Sequence, residues 1–536
     1  MKSKKEFILW FIAIAILLNI LAAVYMSFEH YIYFWDVSSY WERTMQFIES
    51  PDKLQVLYNS INLDEYNFFP CIPFMLTYKL FGCSYTVFIM TILNFFVLPF
   101  ILLFLLLLFK IWNTNSRLRA LLCMLAVISF VPMLTPMIRG YLDSAGLLFT
   151  VIALWALYRM DFSKFDGVSA GILFLSLTLM AFTRRWYSFF LLTVFFAYYP
   201  VAIIFHRKHW LKITATFFAA GAAWLIFTAA FFPQFFKMLV ANDYAAAYSA
   251  YQIGNLLDNI KLFVGHIGWV YLLIALAGFI LGVRDKQNRP FCIAVFVQSI
   301  LIFFIFTHIQ SIGIQHCYLF VPSLLFFICT FIIKVSSKAI PIATAVFLAA
   351  NMAHTYIPHR KLPISFLFTE RTCAPRVRDD IEQIREMAEY INSRAKDDET
   401  VYVLASSFIM NWDILRNVNM PDVRNAVRTI VFTHDVDLRD GFPDYFYDAS
   451  YIVVCDPVQY HLRPETQRTI GILADAILSG EDCDNLELIK TYELDEGVTA
   501  KVYYRTGEYS AAFRQNIAEQ FHDAYPDVPA LHPAAE

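Results

Sequence analysis

Residues 84–109 read SYTVFIMTILNFFVLPFILLFLLLLF and contain no Asp, Glu, Lys or Arg. A helix needs about 20 apolar residues to cross the hydrocarbon core of a bilayer, so this stretch is long enough to span it. Further apolar runs occupy residues 7–27, 118–135, 143–158, 167–183, 187–205, 213–232, 265–283, 290–307, 317–333 and 339–356. The sequence therefore predicts an all-α polytopic membrane domain over residues 1–357, with about eleven spanning helices.

The overall composition agrees with a membrane protein. Of the 536 residues 58% are hydrophobic, 16% are charged and 53 are Phe, whereas a soluble domain is about half apolar and a quarter charged. The net charge of −3 gives no basic bias towards nucleic acid. No C-x-x-C pair suggests metal or redox chemistry, and most of the nine Cys lie in or beside the apolar runs, at Cys71, Cys83, Cys123, Cys292, Cys317 and Cys329.

The first apolar run could be a signal peptide or an anchor, because Lys2, Lys4 and Lys5 precede it. It is longer than the usual 7–15 apolar residues of a signal peptide, which favours an uncleaved anchor.

The charges of the loops predict the orientation, since cytoplasmic loops carry an excess of Lys and Arg. Alternate loops are basic, with Lys110, Arg117 and Arg119; Arg159 and Lys164; Arg207, Lys208 and Lys212; Arg284, Lys286 and Arg289; and Lys334 and Lys338. The N-terminus is then cytoplasmic in a plasma membrane. Residues 28–83, 136–142, 184–186, 233–264 and 308–316, and everything after about 357, are predicted to face outside.

Two outer segments are long. The first, 28–83, contains the aromatic stretch Tyr31-Ile32-Tyr33-Phe34-Trp35, which predicts a segment lying on the membrane surface with its rings at headgroup level. The fourth, between Gln234 and Phe263, is rich in Tyr and either covers a site or is a simple loop.

Residues 371–536 differ in character from the rest of the chain. Ile381, Ile384, Ala388 and Ile391 recur at helical spacing, and the stretch Glu465–Leu478 is also helix-like. Short apolar runs occupy Thr400–Leu404, Tyr451–Cys455, Leu486–Ile489 and Ala500–Tyr504. Strands that alternate with helices predict a soluble, extracytoplasmic α/β domain at the C-terminus.

Polar residues at the predicted outer ends of the spans are candidates for a functional site, because such groups are costly near lipid and usually serve a pathway or a site. They are Asp36, Asp64, Glu65, Arg139, Tyr141, Asp143, Arg184, Arg185, His308, Gln310, Gln315 and His316. Carboxylates can act as a general base or hold a divalent cation, and Arg matches phosphate oxygens. The mixture suits a lipid-phosphate substrate with a hydroxyl or amine nucleophile.

Each candidate also has a purely structural interpretation. Asp36 could cap a helix, and Arg139 with Asp143 could form an i,i+4 ion pair at a helix start. Asp64 and Glu65 could be solvated loop charges, and Arg184 and Arg185 could extend to lipid headgroups. His308 and His316 are better explained as interfacial hydrogen-bonding residues than as metal ligands.

At these motifs the chain resembles the GT-C superfamily of membrane glycosyltransferases, in the bacterial branch of protein O-mannosyltransferases and aminoarabinose transferase. The resemblance rests on Trp35-Asp36 in a long first outer loop, on Glu65-Tyr66-Asn67-Phe68-Phe69-Pro70 with Lys79-Leu80-Phe81-Gly82, and on Arg139-Gly140-Tyr141-Leu142-Asp143. The segment from His308 to Pro322 is similar to a later outer turn of the family. Asp36 is followed by Val37 rather than by a Glu, which argues against protein mannosylation.

The resemblance implies that a sugar moves from a polyprenyl-phosphate carrier to an extracytoplasmic glycan, lipid or protein, with inversion. Asp36 would be the base, and Asp143 and Glu65 would position the acceptor or sugar. Arg184 or Arg185 would meet the phosphate, with Arg139 as a further candidate. Asp64, Tyr141, His308, Gln315 and His316 would bind substrate. A divalent metal ion between Asp36 and Asp143 is compatible with the family, in which some members use one and others do not.

The main rival hypothesis is a lipid or glycolipid transporter, and a second is a scaffold whose outer domain binds a partner. Transporters tend to show internal repeats and polar residues at the bilayer midplane. This sequence shows no repeat and its polar residues cluster at one end of the spans, which favours an enzyme.

Overall fold

The computed structural model describes residues 4–63, 68–114, 116–358, 364–370, 373–420, 425–480, 483 and 485–533. The chain divides into two compact units. The first, called here the membrane unit, comprises Met1–Phe28, Tyr40–Asn242 and Ile253–Pro375. The second, called the α/β unit, comprises Glu29–Ser39, Asp243–Gln252 and Arg376–Glu536.

The helices as far as residue 356 are α1 (Lys4–Phe28), α2 (Asp36–Glu49), α3 (Lys53–Leu63), α4 (Phe74–Phe81), α5 (Tyr85–Ile92), α6 (Leu98–Trp112), α7 (Arg117–Ile128), α8 (Val131–Ile138), α9 (Ala145–Arg159), α10 (Gly167–Thr183), α11 (Ser188–Phe205), α12 (Trp210–Phe231), α13 (Pro233–Ala241), α14 (Tyr244–Ala247, in the α/β unit), α15 (Leu256–Ile267), α16 (Trp269–Arg284), α17 (Arg289–Ile309), α18 (Val321–Lys334) and α19 (Ala339–Tyr356). Short 3₁₀ turns include Leu142–Ser144, Arg185–Tyr187, Ser249–Tyr251 and Gln315–Leu319.

Residues 84–109, the most apolar stretch, form one long helical segment with a local change of pitch. Ser84 caps α5 by accepting a hydrogen bond from the Val87 N–H at 3.2 Å. A π-helical turn, Leu93–Val97, then joins α5 to α6. The segment ends at Asn113, whose φ of 43° places it in the left-handed region that commonly terminates helices.

Every predicted apolar run overlaps a helix, so the all-α membrane architecture is confirmed. Among the described residues, seven helical segments are long and apolar enough to cross a bilayer, and the count is eight if α15 and α16 form one span. These two helices are bent by 92° at their junction. The predicted eleven spans are therefore not confirmed as a count: α10 and α18 are apolar but shorter than a full span, and α19 is not among the segments that are long and apolar enough.

The aromatic stretch of the first outer segment lies inside the α/β unit. Ile32 and Phe34 are only 3% and 7% exposed, and they pack in one core with residues such as Val403. Main-chain hydrogen bonds also tie His30 to residues 376 and 378. The Tyr31 and Trp35 rings pack against the same core. The prediction that the rings of this stretch lie at headgroup level is therefore wrong, because Phe34 is buried in the core of the folded unit and its neighbours pack against that core.

The α/β unit contains a four-stranded sheet of order β1-β2-β4-β3. Its strands are β1 (Val401–Leu404), β2 (Tyr451–Asp456), β3 (Leu486–Glu493) and β4 (Thr499–Arg505). β1 and β2 are parallel, with Val401 opposite Tyr451, whereas β4 is antiparallel to both of its neighbours. The four short apolar runs after residue 400 are thus strands, as predicted.

Helices cover both faces of this sheet. Because side chains alternate along each strand, successive residues of a strand face different helices. Val401 and Val403 face a core with α20, whereas Tyr402 and Leu404 face one with α24 and α25. The helices of this part of the chain are α20 (Ile381–Asn392), α21 (Trp412–Asn417), α22 (Asp437–Asp440), α23 (Tyr445–Asp448), α24 (Arg468–Ser479) and α25 (Ala511–Ala524).

Candidate active site

Asp143 is the most deeply buried of the predicted acidic residues that the structure describes. It lies in the 3₁₀ turn Leu142–Ser144 that leads into α9, and it is 1% exposed. The turn follows α8 through Gly140, whose φ of +87° is readily adopted by glycine. Because a buried carboxylate is costly without partners, its surroundings should neutralise and hydrogen-bond it.

Two side chains of the membrane unit do so. The Tyr40 hydroxyl donates to Oδ2 of Asp143 at 2.6 Å, and Nε of Arg184 lies 3.3 Å from Oδ1. The guanidinium carbon of Arg184 is also 5.7 Å from the centroid of the Tyr40 ring. The structure therefore brings together two predicted residues, Asp143 and Arg184, around Tyr40, which was not among the predicted residues.

The main chain around Asp143 is fixed as well. The Tyr187 hydroxyl donates to the main-chain carbonyl of Asp143 at 2.8 Å. The Tyr187 ring lies so close to Gly146 that a Cβ atom built there would be 2.1 Å from it. Gly146 therefore allows the turn Arg185–Tyr187 to pack on the start of α9.

His316 belongs to the same neighbourhood through Trp186. The Trp186 ring stacks on Tyr187 with centroids 4.1 Å apart, and the His316 ring lies 5.4 Å from Trp186. Nδ1 of His316 accepts the Gly313 N–H at 2.9 Å, so the neutral ring carries its proton on Nε2.

The other predicted residues of the membrane unit have different surroundings. Arg139 donates to the main-chain carbonyl of Ala374 at 3.0 Å, and Nη1 of Arg185 is 3.6 Å from the sulfur of Met238. His308 is exposed in the last turn of α17, and Tyr141 and Gln315 are half-buried. Asp64 and Glu65 lie outside the described residues.

The structure also tests the purely structural interpretations of Arg139 and Arg184. Arg139 follows the end of α8 and Asp143 lies in the next turn, so the two do not form an ion pair within one helix. Arg184 is 15% exposed and paired with Asp143, which a side chain extended to headgroups would not be.

Asp36 is the first residue of α2 and is half-buried. It is therefore inside the helix rather than its N-cap, at a position where a carboxylate is favoured by the helix dipole. The preceding residue, Trp35, has a φ of +54°. Tyr40 follows Asp36 by four residues in the same helix.

The fit of a divalent cation can be judged from Asp143. Arg184 already balances its charge, and a dication bound to the same carboxylate would be repelled by the guanidinium. Among the residues that the structure describes, no three His, Cys, Asp or Glu side chains gather in a metal-binding group. The residues around Asp143 therefore do not fit a resident cation. The metal ion expected between Asp36 and Asp143 stays a prediction, which a chelator can test.

Comparison with known proteins gives a structural answer only. No protein-family profile and no curated protein matches the sequence. ArnT from Cupriavidus metallidurans bound to undecaprenyl phosphate superposes with a TM-score of 0.54 at 13% identity, over 95% of this chain and 99% of that chain. The apo form of that protein gives a TM-score of 0.50 at 12% identity, over 95% and 99%.

The oligosaccharyltransferase AglB from Archaeoglobus fulgidus gives a TM-score of 0.47 at 11% identity, over 94% of this chain and 74% of that chain. The two ArnT structures cover nearly the whole of both chains, including the C-terminal part. The chain therefore shares the fold of ArnT, as expected from the sequence resemblance.

Proposed function

We propose that this protein is an integral membrane glycosyltransferase that moves a sugar from a polyprenyl-phosphate carrier to an acceptor outside the membrane. The observation that carries the proposal is the buried Asp143–Arg184 pair, which the membrane unit holds at a predicted outer turn. It lies in a chain that has the fold of ArnT, a protein solved with undecaprenyl phosphate. A charged pair of this kind is costly in a membrane protein and usually serves a substrate.

Arg184 is assigned to the carrier phosphate. A guanidinium keeps its charge at any working pH and matches phosphate oxygens with its planar fork. Asp143 holds the side chain in one orientation through Nε, and the aromatic ring of Tyr40 lies beside it. Such a preorganised cation stabilises negative charge that develops on a leaving group.

Asp36 is assigned the role of general base. Its carboxylate takes the proton from the acceptor hydroxyl while that oxygen forms a bond to the anomeric carbon of the sugar. The bond from this carbon to the phosphate oxygen breaks, its electron pair leaves with the polyprenyl phosphate, and the configuration is inverted. General-base assistance is typically worth about 10²–10⁴-fold in rate.

The remaining predicted residues take supporting roles under this proposal. Asp143 and Glu65 would position acceptor or sugar, and Arg139 and Arg185 would add positive charge near the phosphate. Asp64, Tyr141, His308, Gln315 and His316 would contact the substrates. Glycan, lipid and protein acceptors all agree with the fold.

The deciding experiment is sugar transfer by the purified protein in detergent, with a panel of radiolabelled polyprenyl-phosphate sugars and a membrane extract as acceptor. We expect transfer by the wild type and a loss of about 10²-fold or more in Asp36→Asn and in Arg184→Gln. Asp285→Asn is the matched control, because Asp285 also pairs with a basic residue, Lys334, at 2.8 Å.

Three outcomes would change the proposal. Equal transfer by Asp36→Asn and the wild type would remove Asp36 from the chemistry. Loss of transfer on adding a chelator, with recovery on adding a divalent ion, would show that a metal acts despite the Arg184–Asp143 pair. Transfer from none of the donors, together with lipid translocation in proteoliposomes, would favour the transporter.

A further inference from the structure

We infer that Asp413, in the α/β unit, is a positioning residue for Asp36, because it holds the strained main chain from which α2 begins. The inference rests on the proposed function, in which Asp36 is the base. It gives the α/β unit a role in orienting the proposed base.

The segment before Asp36 is strained. Trp35 has a φ of +54°, in the left-handed region where a bulky residue is an outlier. A conformation of this kind is unfavourable and persists only where the surroundings impose it. The contacts of Trp35 should therefore show what imposes it.

Asp413 holds this segment through hydrogen bonds. Its Oδ2 accepts the Trp35 N–H at 2.6 Å and a short hydrogen bond from the Ser38 hydroxyl. Its Oδ1 accepts from Nδ2 of Asn417 at 2.8 Å. With 3% exposure it is a buried carboxylate that joins the residue before α2 to its first turn.

Two loops of the α/β unit contact the Trp35 ring. The Trp35 ring lies 5.3 Å from Phe408 and 4.6 Å from the His461 ring. Phe408 is in the loop after β1, and His461 is in the loop after β2. Trp35 is thus held through its main chain by Asp413 and through its ring by both loops.

These loops follow the carboxyl ends of two parallel strands, the edge at which α/β sheets usually bind ligands. Here the segment that precedes Asp36 occupies that edge. Tyr251, also in the α/β unit, lies there too, with its ring 6.4 Å from His461. Burial raises the pKa of Tyr251, and the charges of Asp435, Asp36 and Asp440 raise it further against the effect of Arg439.

A positioning role for Asp413 predicts a specific kinetic effect. If Asp413 only sets the direction of Asp36, its loss lowers kcat and leaves the KM for the lipid donor unchanged, because a positioning residue makes no contact with the donor. We expect Asp413→Ala, which removes the acceptor of the Trp35 N–H, to lower kcat at least 10-fold. Asp413→Asn keeps one oxygen acceptor and should lose less.

Asp437→Asn is the matched control for a structural defect. Asp437 is 1% exposed in the same unit and accepts main-chain N–H bonds from Arg468 and Thr469 at 2.7 and 3.1 Å. It supports the start of α24 rather than the segment before α2. Asp413→Asn and Asp437→Asn each remove a buried carboxylate from a helix start, so their Tm values should fall by comparable amounts.

The experiment compares kcat, donor KM and amide hydrogen exchange in the full-length wild type, Asp413→Ala, Asp413→Asn and Asp437→Asn. The expected result is a fall in kcat in the Asp413 variants alone, with faster exchange in peptides covering residues 31–40 and unchanged exchange in β1 and β2. Exchange at residues 31–40 equal to wild type, or a kcat like that of Asp437→Asn, would overturn the inference while leaving the proposed function intact.

Failure of the proposed function gives a different pattern. If the wild type transfers sugar from none of the donors, the catalytic role of Asp413 falls with it. The exchange data would then show independently whether Asp413 holds residues 31–40.

Discussion

Asp143 and Arg184 illustrate how one residue sets the requirement for another. A carboxylate that is 1% exposed needs a positive partner, and Arg184 supplies it at 3.3 Å. Removing one member of a buried pair leaves an uncompensated charge, which costs more than the intact pair contributes.

We therefore expect Arg184→Met to destabilise the protein by about 3–5 kcal/mol, and the double variant Asp143→Leu/Arg184→Met to be less unstable than Arg184→Met alone. Thermal unfolding in detergent measures both. Additive losses in the double variant would contradict the pairing. Asp285→Asn again serves as the control for a more exposed pair.

A second cluster, in the α/β unit, contains Ser406, His461 and Asp435. The Ser406 hydroxyl lies 2.7 Å from Nδ1 of His461 and 2.9 Å from Oδ2 of Asp435. In a nucleophilic triad the histidine lies between the serine and the acid, whereas here the serine is central. The arrangement is a structural network rather than a hydrolytic site.

This network makes a prediction about pH. Burial raises the pKa of Asp435 to about 6 and lowers that of His461 to about 4. As pH falls from about 6 to 4, Asp435 takes up a proton in the folded state before it does so in the unfolded state, and this raises the free energy of unfolding. As pH falls from about 6.5 to 4, His461 takes up a proton in the unfolded state first, and this lowers the free energy of unfolding.

The two contributions oppose each other, so removing one should expose the other. We expect His461→Asn to gain stability relative to wild type by up to about 3 kcal/mol as pH falls from 6.5 to 4, and Asp435→Asn to lose stability relative to wild type between pH 6 and 4. Tm measured against pH tests this. Parallel curves for wild type and both variants would contradict it.

At the scale of elements, the close crossing of α16 and α18 depends on a glycine. A Cβ atom built on Gly278 would lie 1.8 Å from the main-chain oxygen of Phe327. Small residues allow helix backbones to approach closely within membranes. Because the clash is with backbone, no side-chain rotation relieves it.

Gly278→Ala should therefore destabilise the membrane unit and lower the yield of folded protein in detergent. Gly171→Ala is the control, since nothing lies within 4 Å of a Cβ built there, and alanine favours a helix by about 1 kcal/mol over glycine. Size-exclusion profiles and Tm compare the two. A Gly278→Ala variant as stable as Gly171→Ala would mean that the helices do not cross so closely.

At the scale of the whole molecule, the charges of the loops predict that the α/β unit faces outside and that the loop containing Lys286 faces the cytoplasm. Single cysteines placed at residues 286 and 496 in a cysteine-free background test this in intact cells. A membrane-impermeant maleimide should label residue 496 alone before lysis and both after it. Labelling of residue 286 alone in intact cells would reverse the topology.

The sequence by itself determined the helices and strands, because apolar runs and alternation are local properties. The run 84–109 contains α5 and almost all of α6, and Tyr451–Cys455 lies within β2. It also indicated Asp143 and Arg184, since charges at the ends of apolar runs are unusual. It could not give the number of complete spans, which depends on how far helices such as α18 extend and how sharply α15 and α16 bend.

Only the tertiary structure decided which side chains meet. Tyr40 reaches Asp143 across 103 residues of sequence, and Trp35 meets Asp413 across 378. No periodicity encodes such pairs, because they arise when separate elements pack. For the same reason the sequence alone predicts that the aromatic stretch 31–35 lies on the membrane surface. Aromatic residues suit a headgroup layer and a protein core equally well, and the α/β unit provides the core.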